Sequence, residues 1–297
     1  MGPTPPSDEF DVMELPNSAP DSLNTSGFFV ARLFDRETIE RVLTFYRSLD
    51  LTEVTGNYCS IHETDQGLKR RITDYLSPLL SDRLAGLDIV ETCVMGGVFV
   101  VKAPTTMHVV PHQDPTLVAE PRFRSLNIWL PLQDVGRENG CLWVLPNSQY
   151  DGPSARPANG YAYPSFYGQI PEAEVWEAMV PIEMAAGEAL IYDHRLLHGS
   201  KGNHGTQDRI AVVSALRAPD AELRFYLAGQ EAGRHVISEY VMAEGDYFTF
   251  VDFVPQSGNL TRQVVAEPSF MPPDEFRHRY LNPAAWAGRD PEERVTP

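Results

Sequence analysis

Residues 108–146 read HVVPHQDPTLVAEPRFRSLNIWLPLQDVGRENGCLWVLP, and this stretch decides both the fold and the candidate site. His112 and Asp114 lie two residues apart between Pro111 and Pro115, and prolines at both flanks exclude a helix here. In an extended strand, residues i and i+2 point to the same face, so an imidazole and a carboxylate project side by side. The spacing predicts two ligands of one metal ion.

A third ligand is best supplied by His198, in the segment LLHGS. Two histidines and one carboxylate form the facial triad that leaves coordination positions open on Fe(II). His194 remains an alternative if this segment is helical. His108 is a weaker candidate, because residues four apart on a strand share one ion less readily than residues two apart.

The rest of the central region predicts many short strands separated by Gly, Pro and Asn, which is typical of a jelly roll. Such strands are expected at residues 90–101, 108–111, 125–132, 140–145, 180–184, 188–192, 209–216 and 223–227. The predicted fold class is mainly β, with a double-stranded β-helix (cupin-like) core.

The N-terminal region predicts helices that buttress one sheet of this core. Residues 1–24 are rich in proline and acids and predict a mobile leader. A strand over 27–33 follows, and Asp35 is expected to cap a helix that ends near Leu49. A second helix is predicted over 68–84, broken near Pro78.

Five features occur in a fixed order: HQD, the strand with Trp129, the NGCLWVLPNS turn, LLHGS and then Arg209. Together they resemble the phytanoyl-CoA dioxygenase family over roughly residues 25–230. The resemblance implies a double-stranded β-helix that uses Fe(II), 2-oxoglutarate and O2. It also implies that Arg209 clamps the distal carboxylate of 2-oxoglutarate, and that Gln113 and Trp129 lie beside this cosubstrate. A guanidinium suits that role because it is a bidentate, always-charged fork.

Further candidates rest on weaker signals. Lys102 ends the strand before the metal motif and is either a cosubstrate contact or an exposed residue. Asn127 shares a strand face with Trp129, so it points toward the substrate or into the core. Residues 147–177 form a Tyr-rich insertion of a length that is usually functional, and Tyr161 and Tyr163 are candidate substrate contacts in a lid.

Composition limits the partners. The net charge of −17 disfavours nucleic acid, which needs a basic face, and mildly disfavours polyanionic substrates. No run approaches the ~18 apolar residues of a membrane span, and no signal pattern is present at the N-terminus. An odd set of cysteines, Cys59, Cys93 and Cys141, predicts a reduced, cytoplasmic protein.

The sequence therefore predicts an Fe(II)/2-oxoglutarate dioxygenase that hydroxylates a C–H bond of a small metabolite or natural-product intermediate. Because Asp114 is a carboxylate, oxygenation is favoured over halogenation. Desaturation or cyclisation, a 2-oxoglutarate-independent cupin-like isomerase or lyase, and a metal-free binding protein stay open as alternatives. The extension over residues 231–297 is expected to cap the core or to pair subunits in a homodimer.

Overall fold

A computed structural model describes residues 19–49, 51, 56–85, 87, 89, 92–120, 122–243 and 259–282. Residues 1–18 of the predicted leader lie outside this range, and its last residues begin a short helix, α1 (Ala19–Thr25). The aromatic-rich segment 244–258 and residues 283–297 of the C-terminal extension also lie outside the described residues.

The strands in the described residues follow the predicted alternation closely. In chain order they are β1 (Phe28–Arg32), β2 (Asn57–Cys59), β3 (Cys93–Val94), β4 (Val98–Lys102), β5 (Val109–His112), β6 (Ser125–Pro131), β7 (Leu142–Val144), β8 (Val180–Ile182), β9 (Glu188–Asp193), β10 (His198–Ser200), β11 (Arg209–Arg217), β12 (Arg224–Glu231), β13 (Arg234–Val241) and β14 (Asn259–Val265).

All strand pairs are antiparallel and form three sheets. The largest has the order β1-β9-β6-β11-β4-β2, with β3 also paired to β11. The second has the order β5-β10-β7-β8, and the third is β12-β13-β14. Non-consecutive strands lie next to each other in the first two sheets, which is the connectivity of a jelly roll. The predicted mainly β, double-stranded β-helix class is confirmed.

Two helices cover one face of the largest sheet, as predicted. They are α2 (Arg36–Arg47), capped by the Asp35 side chain on the Thr38 amide at 2.8 Å, and α3 (Gln66–Leu84). Their apolar stripes pack on inward side chains of the sheet such as Phe99 and Ile128. Burial of these stripes supplies most of the stability of such helices.

The predicted break at Pro78 is wrong. The helix α3 runs through Pro78 without interruption, and Ile72, Leu76, Leu80 and Leu84 form one buried face on both sides of the proline. Proline costs the helix one backbone hydrogen bond, and burial of four large apolar side chains against the sheet outweighs that loss.

The opposite face of the largest sheet packs on the second sheet. Trp129 and Tyr192 from β6 and β9 lie in one apolar cluster with Trp143 and Val144 from β7. Side chains at alternating positions of β6 therefore point to opposite faces of the sheet. Leu126, Ile128 and Leu130 pack against the helices. Asn127 and Trp129 face the space between the sheets. The candidate site lies in that space.

The C-terminal part of the chain contains structure that the sequence pattern did not reveal. Strands β13 and β14 extend a hairpin from β12. Before this hairpin, the helix α4 (Glu172–Ala178) ends the Tyr-rich insertion. Beyond it, the short helix α5 (Pro273–Phe276) inserts Phe276 into the cluster between the sheets, where the side chain is fully buried. No helix in the described residues is long and apolar enough to cross a membrane.

Candidate active site

The metal candidates converge from two paired strands. His112 on β5 lies directly opposite His198 on β10 in the antiparallel register. Asp114 follows β5, and its backbone N–H donates to the carbonyl of His194 at 3.0 Å. One donor atom from each of His112, Asp114 and His198 lies within 4.8 Å of the other two. The His112–Asp114 and His198–Asp114 nitrogen–oxygen distances are 3.9 and 3.8 Å.

Both histidines have a tautomer that suits metal binding. His112 Nδ1 lies 2.9 Å from the Val110 carbonyl, and His198 Nδ1 lies 3.0 Å from the Leu196 carbonyl. Because a carbonyl only accepts, each Nδ1 carries the hydrogen and each Nε2 presents a lone pair toward Asp114. Backbone carbonyls thus orient both rings before any ion binds.

The alternative ligand His194 lies outside the convergent group. Residues 194–197 form a turn rather than a helix, so His194 and His198 are not on one helical face. His194 is buried and lines a cavity beside the candidate ligands.

The protonation states of Asp114 and His198 also favour the binding of a cation. Burial alone would raise the pKa of the Asp114 carboxyl, but the positive charge that the nearby histidines carry when protonated, together with the Asn127 amide, outweighs burial and holds this pKa at about 2. Burial lowers the pKa of His198 to about 4, although Asp114 opposes the shift. A carboxylate and neutral imidazoles are the protonation states in which these groups bind a metal.

Arg209 is buried at the start of β11, and its Nε and Nη1 atoms have no hydrogen-bond partner among the described residues. Its guanidinium carbon lies 5.0 Å from the Trp129 ring centroid. Burial lowers the pKa of Arg209 to about 10, so the group stays charged at neutral pH. Buried arginine without a carboxylate is rare, which makes this guanidinium suited to an anionic ligand.

Lys102 is fully buried opposite Arg209, so the expectation that it is exposed is wrong. Its ammonium donates to the carbonyls of Lys201 at 2.6 Å, Ser200 at 3.1 Å and Met107 at 3.5 Å. Gly140 has φ of +81°, and a Cβ there would lie 2.9 Å from the Lys102 side chain. Lys102 therefore braces the loop after β10.

Gln113, predicted to lie beside 2-oxoglutarate, follows the end of β5 and has its side-chain amide hydrogen-bonded to two backbone carbonyls. Its amide nitrogen donates to the carbonyls of Arg195 at 2.6 Å and Asp151 at 3.2 Å. The hydrogen bond to Asp151 links the segment that contains His112 and Asp114 to the start of the Tyr-rich insertion.

Asp151 connects that insertion to the C-terminal segment. Its buried carboxylate accepts hydrogen bonds from Tyr167 at 2.8 Å, from Arg279 at 2.6 Å and from Tyr280. Farther out, Arg277 forms a bidentate pair with Glu174 at 2.8 and 2.9 Å. The insertion is thus anchored by the tail, which no local sequence pattern indicated.

A cavity of about 390 Å³ opens beside the metal candidates. His112, Asp114 and Asn127 line it on one side. The remaining described lining residues are mostly apolar or neutral: Cys59, Ile61, His62, Val98, Pro115, Leu117, Ala158, His194, Val213, Ser214 and Ala215. This chamber is of the size that binds small molecules.

The weaker substrate candidates have different positions. Asn127 faces the site, and its amide nitrogen donates to Asp114 at 3.0 Å. Tyr163 does not line the cavity; its ring packs edge-on against His235 of β13, with centroids 5.4 Å apart. Tyr161 lies in a short 3-10 turn, and its side chain is outside the described part of the structure.

Fold and site together define a jelly-roll protein in which two histidines and one carboxylate converge in the space between the sheets, where Arg209 is also buried. Residues 42–211 match the model of the family described as phytanoyl-CoA dioxygenase (PhyH). The chain belongs to this family.

Related proteins agree with this assignment. The chain is 32% identical over 143 residues to phytanoyl-CoA dioxygenase domain-containing protein 1 of Mus musculus, covering 46% of this chain and 49% of the relative. It is 27% identical over 154 residues to phytanoyl-CoA dioxygenase 1 of Oryza sativa subsp. japonica, covering 52% and 53%. The chain thus matches about half the length of these curated relatives.

Solved structures share the fold. The non-heme alpha ketoglutarate dependent epimerase SnoN from nogalamycin biosynthesis superposes with a TM-score of 0.52 at 15% identity, over 86% of this chain and 95% of SnoN. EvdO2 from Micromonospora carbonacea var. aurantiaca, complexed with 2-oxoglutarate, gives 0.50 at 19% identity, over 67% and 89%.

Family membership and the donor set together identify the cofactors. They are Fe(II) as the metal and 2-oxoglutarate as the cosubstrate, and O2 follows from the oxygenase class. The unpartnered nitrogens of Arg209 and the histidine lone pairs fit these groups.

Proposed function

We propose that this protein is an Fe(II)/2-oxoglutarate-dependent dioxygenase that hydroxylates an unactivated C–H bond of a small metabolite or natural-product intermediate. Succinate and CO2 would be released. In this proposal His112, Asp114 and His198 hold the iron, and Arg209 holds the distal carboxylate of 2-oxoglutarate. Three protein ligands leave positions on the metal for the cosubstrate and O2.

The observation that carries the proposal is the unpaired guanidinium of Arg209. Leaving a buried charge without a partner costs several kcal/mol, a cost that a folded protein tolerates when a ligand supplies the missing charge. Bound iron and 2-oxoglutarate supply an oxidant strong enough for C–H bonds. The Trp129 ring beneath the guanidinium fixes its orientation, so that its unpartnered edge is ready for a carboxylate.

The cavity supports a small, largely apolar and uncharged substrate. Among its described lining residues there is no lysine or arginine, and the carboxylate is the candidate ligand Asp114 itself. Its volume of about 390 Å³ is near the lower end of the ~300–1,000 Å³ typical of ligand sites. A coenzyme A thioester would bring several phosphates that nothing in this lining neutralises.

Hydroxylation is proposed in preference to desaturation or cyclisation. Asn127, His112 and Asp114 form one wall of the chamber, so a substrate carbon against that wall would be adjacent to a metal held by these ligands. Turnover under ¹⁸O2 distinguishes the outcomes: succinate takes one labelled oxygen in every case, whereas the oxidised substrate takes the other only in hydroxylation and stays unlabelled in desaturation or cyclisation. The free cysteines support a reducing, cytoplasmic compartment.

Anaerobic addition of Fe(II) and then 2-oxoglutarate tests the cofactor assignment. A keto acid chelated to Fe(II) in a facial triad gives a weak visible charge-transfer band, which the wild-type protein should show and Asp114→Ala should lack. If iron binds and no band forms, a cupin-like isomerase or lyase without 2-oxoglutarate replaces this proposal. If iron does not bind, the metal-free binding protein replaces it.

A further inference from the structure

We propose that Tyr192 is a further active-site residue, whose hydroxyl donates a hydrogen bond to an oxygen of the 2-oxoglutarate bound at the metal. The inference rests on the proposed function, because it requires a metal on His198 and a cosubstrate beside it. No motif in the sequence marked this tyrosine, which lies within the apolar strand β9.

Tyr192 is placed against the metal candidates by the register of the largest sheet. It lies directly opposite Asn127 across β9 and β6, and its side chain is buried between the two sheets. Its ring centroid is 4.8 Å from that of His198, and its hydroxyl oxygen is 3.3 Å from His198 Nε2. That nitrogen is the atom offered to the metal.

The positions of the hydrogens follow from the partners. Asn127 has two amide hydrogens, and its nitrogen lies 3.0 Å from Asp114 Oδ2 and 3.0 Å from the Tyr192 oxygen. The Tyr192 oxygen therefore accepts from Asn127. His198 Nδ1 donates to Leu196, so Nε2 is an acceptor, and the Tyr192 O–H is the donor in its contact with His198 Nε2.

Binding of a metal ion would change these hydrogen bonds at one atom, His198 Nε2. The Nε2 lone pair that accepts from Tyr192 is the lone pair that an ion on His198 would take. The Asn127 contact would keep the tyrosine oxygen in place, and the O–H that now donates to His198 Nε2 would be able to donate to an oxygen of the cosubstrate held beside that nitrogen. A chelating 2-oxoglutarate supplies such oxygens as a carboxylate and a ketone.

Tyr192 serves the cosubstrate rather than the substrate. Asn127 lines the substrate cavity, whereas Tyr192 is not among the described residues that line it. Tyr192 instead belongs to the apolar cluster that contains Trp129, the residue beneath Arg209. The hydroxyl, the Trp129 ring and the Arg209 guanidinium would then contact the cosubstrate from one side of the metal.

The test is Tyr192→Phe, which removes one oxygen and keeps the ring. We expect Fe(II) to bind within a few-fold of wild type. The anaerobic dissociation constant of 2-oxoglutarate should rise about tenfold or more, which is the worth of a hydrogen bond to a charged group. The charge-transfer band should shift in energy, because a donor to the chelating oxygens changes their electron density.

Tyr167→Phe is the matched control: it removes a buried tyrosine hydroxyl that binds Asp151. Its band and its 2-oxoglutarate affinity should equal those of wild type. A Tyr192→Phe protein with the wild-type band and affinity would overturn the inference and leave the proposed function intact. A wild-type protein that forms no band would overturn both.

Should Tyr192→Phe fail to fold, fluorotyrosine at position 192 retains the hydroxyl and strengthens it as a donor. The band should then shift in energy and the 2-oxoglutarate affinity should not fall. An unchanged band would count against the role assigned to Tyr192.

Discussion

Arg156 and Arg209 are both buried arginines, with 6% and 3% of their surface exposed, and they differ in what surrounds the charge. Arg156 forms a bidentate pair with Glu120 at 2.8 and 2.9 Å, and its Nε donates to the Asp114 carbonyl at 2.8 Å. Arg209 has the Trp129 ring at 5.0 Å and two nitrogens without a partner in the described structure.

The comparison distinguishes Arg156, whose buried charge stabilises the fold, from Arg209, whose buried charge is available to a ligand. Glu120 and Arg156 satisfy each other, and their pair fixes the backbone of Asp114 from behind. Arg209 has no such carboxylate among the described residues, so we expect its burial to destabilise the protein until an anion binds. Replacing each arginine should therefore have opposite effects on stability and on ligand binding.

The largest effect on stability should come from Arg156→Met. Glu120 would keep Arg195 at 3.7 Å but lose its bidentate partner, leaving a carboxylate that is 3% exposed. Breaking a buried pair costs about 3–5 kcal/mol in unfolding free energy, measurable by urea denaturation. Arg277→Met, which breaks an exposed pair with Glu174, should cost less than about 1 kcal/mol. Equal losses in the two variants would contradict this account of Arg156.

The largest effect on binding should come from Arg209→Met. Losing one partner of a buried charge pair costs about 2–5 kcal/mol, so the 2-oxoglutarate dissociation constant should rise roughly 30- to 5,000-fold. Iron affinity should change little, because Arg209 is not one of the convergent metal candidates. Calorimetric titration of iron-loaded protein under anaerobic conditions measures both constants. A similar loss of affinity in Arg277→Met, which removes a surface arginine paired with Glu174, would show that Arg209 has no special role.

The free energy by which 2-oxoglutarate stabilises the folded protein should also differ between wild type and Arg209→Met, by a smaller amount. At 100 times its dissociation constant, a ligand that binds the folded protein alone stabilises it by about 2.7 kcal/mol. The iron-loaded wild type should gain this amount from 2-oxoglutarate, seen as a higher melting temperature. Arg209→Met should gain less than about 1 kcal/mol at the same concentration, because its dissociation constant is at least about 30-fold higher. A gain equal to that of wild type would mean that the cosubstrate binds elsewhere.

The smallest effect concerns Lys102, which lies opposite Arg209. Burial, reinforced by the charge of Arg209, lowers the pKa of Lys102 to about 7. Between pH 7 and about 8.5 the unfolded chain binds this proton and the folded protein releases it. Stability should therefore rise with pH in this window, by at most about 1.4 kcal/mol per unit.

Lys102→Met should flatten that slope, measured by urea denaturation at several pH values. The comparison is limited to pH below about 8.5. Burial raises the pKa of Cys59 to about 11 and of Cys141 to about 12 in the folded protein. Above that pH the thiols of the unfolded chain lose their protons first, which lowers stability and opposes the effect of Lys102. An identical slope in Lys102→Met and wild type would mean that Lys102 keeps its proton throughout.

Local patterns predicted the strands and the convergence of His112, Asp114 and His198. A two-residue spacing on a strand fixes direction, and the β5–β10 pairing then brings the distant histidine opposite. Burial was harder to predict. Lys102 ends β4 and Arg209 begins the neighbouring antiparallel strand β11, and only the register of the sheet shows that both charges lie inside.

Long-range contacts account for what the sequence did not reveal. Tyr192 occupies a strand position typical of core residues, and its hydroxyl reaches the site only because β9 pairs with β6. Asp151 has the local sequence of an ordinary loop residue. Its partners Arg279 and Tyr280 lie more than a hundred residues away in the sequence, so no local pattern indicates these contacts. The helix through Pro78 depends on burial that local propensity does not include.

One measurement tests the central claim that Arg209 is a buried charge kept for a ligand. Arg209→Met and wild type would be compared for unfolding free energy without ligand and for 2-oxoglutarate affinity with iron. We expect Arg209→Met to be at least as stable as wild type, because it removes an unpaired buried charge, and to lose 2-oxoglutarate binding. A variant that is strongly destabilised, or that binds 2-oxoglutarate as tightly as wild type, would contradict the claim.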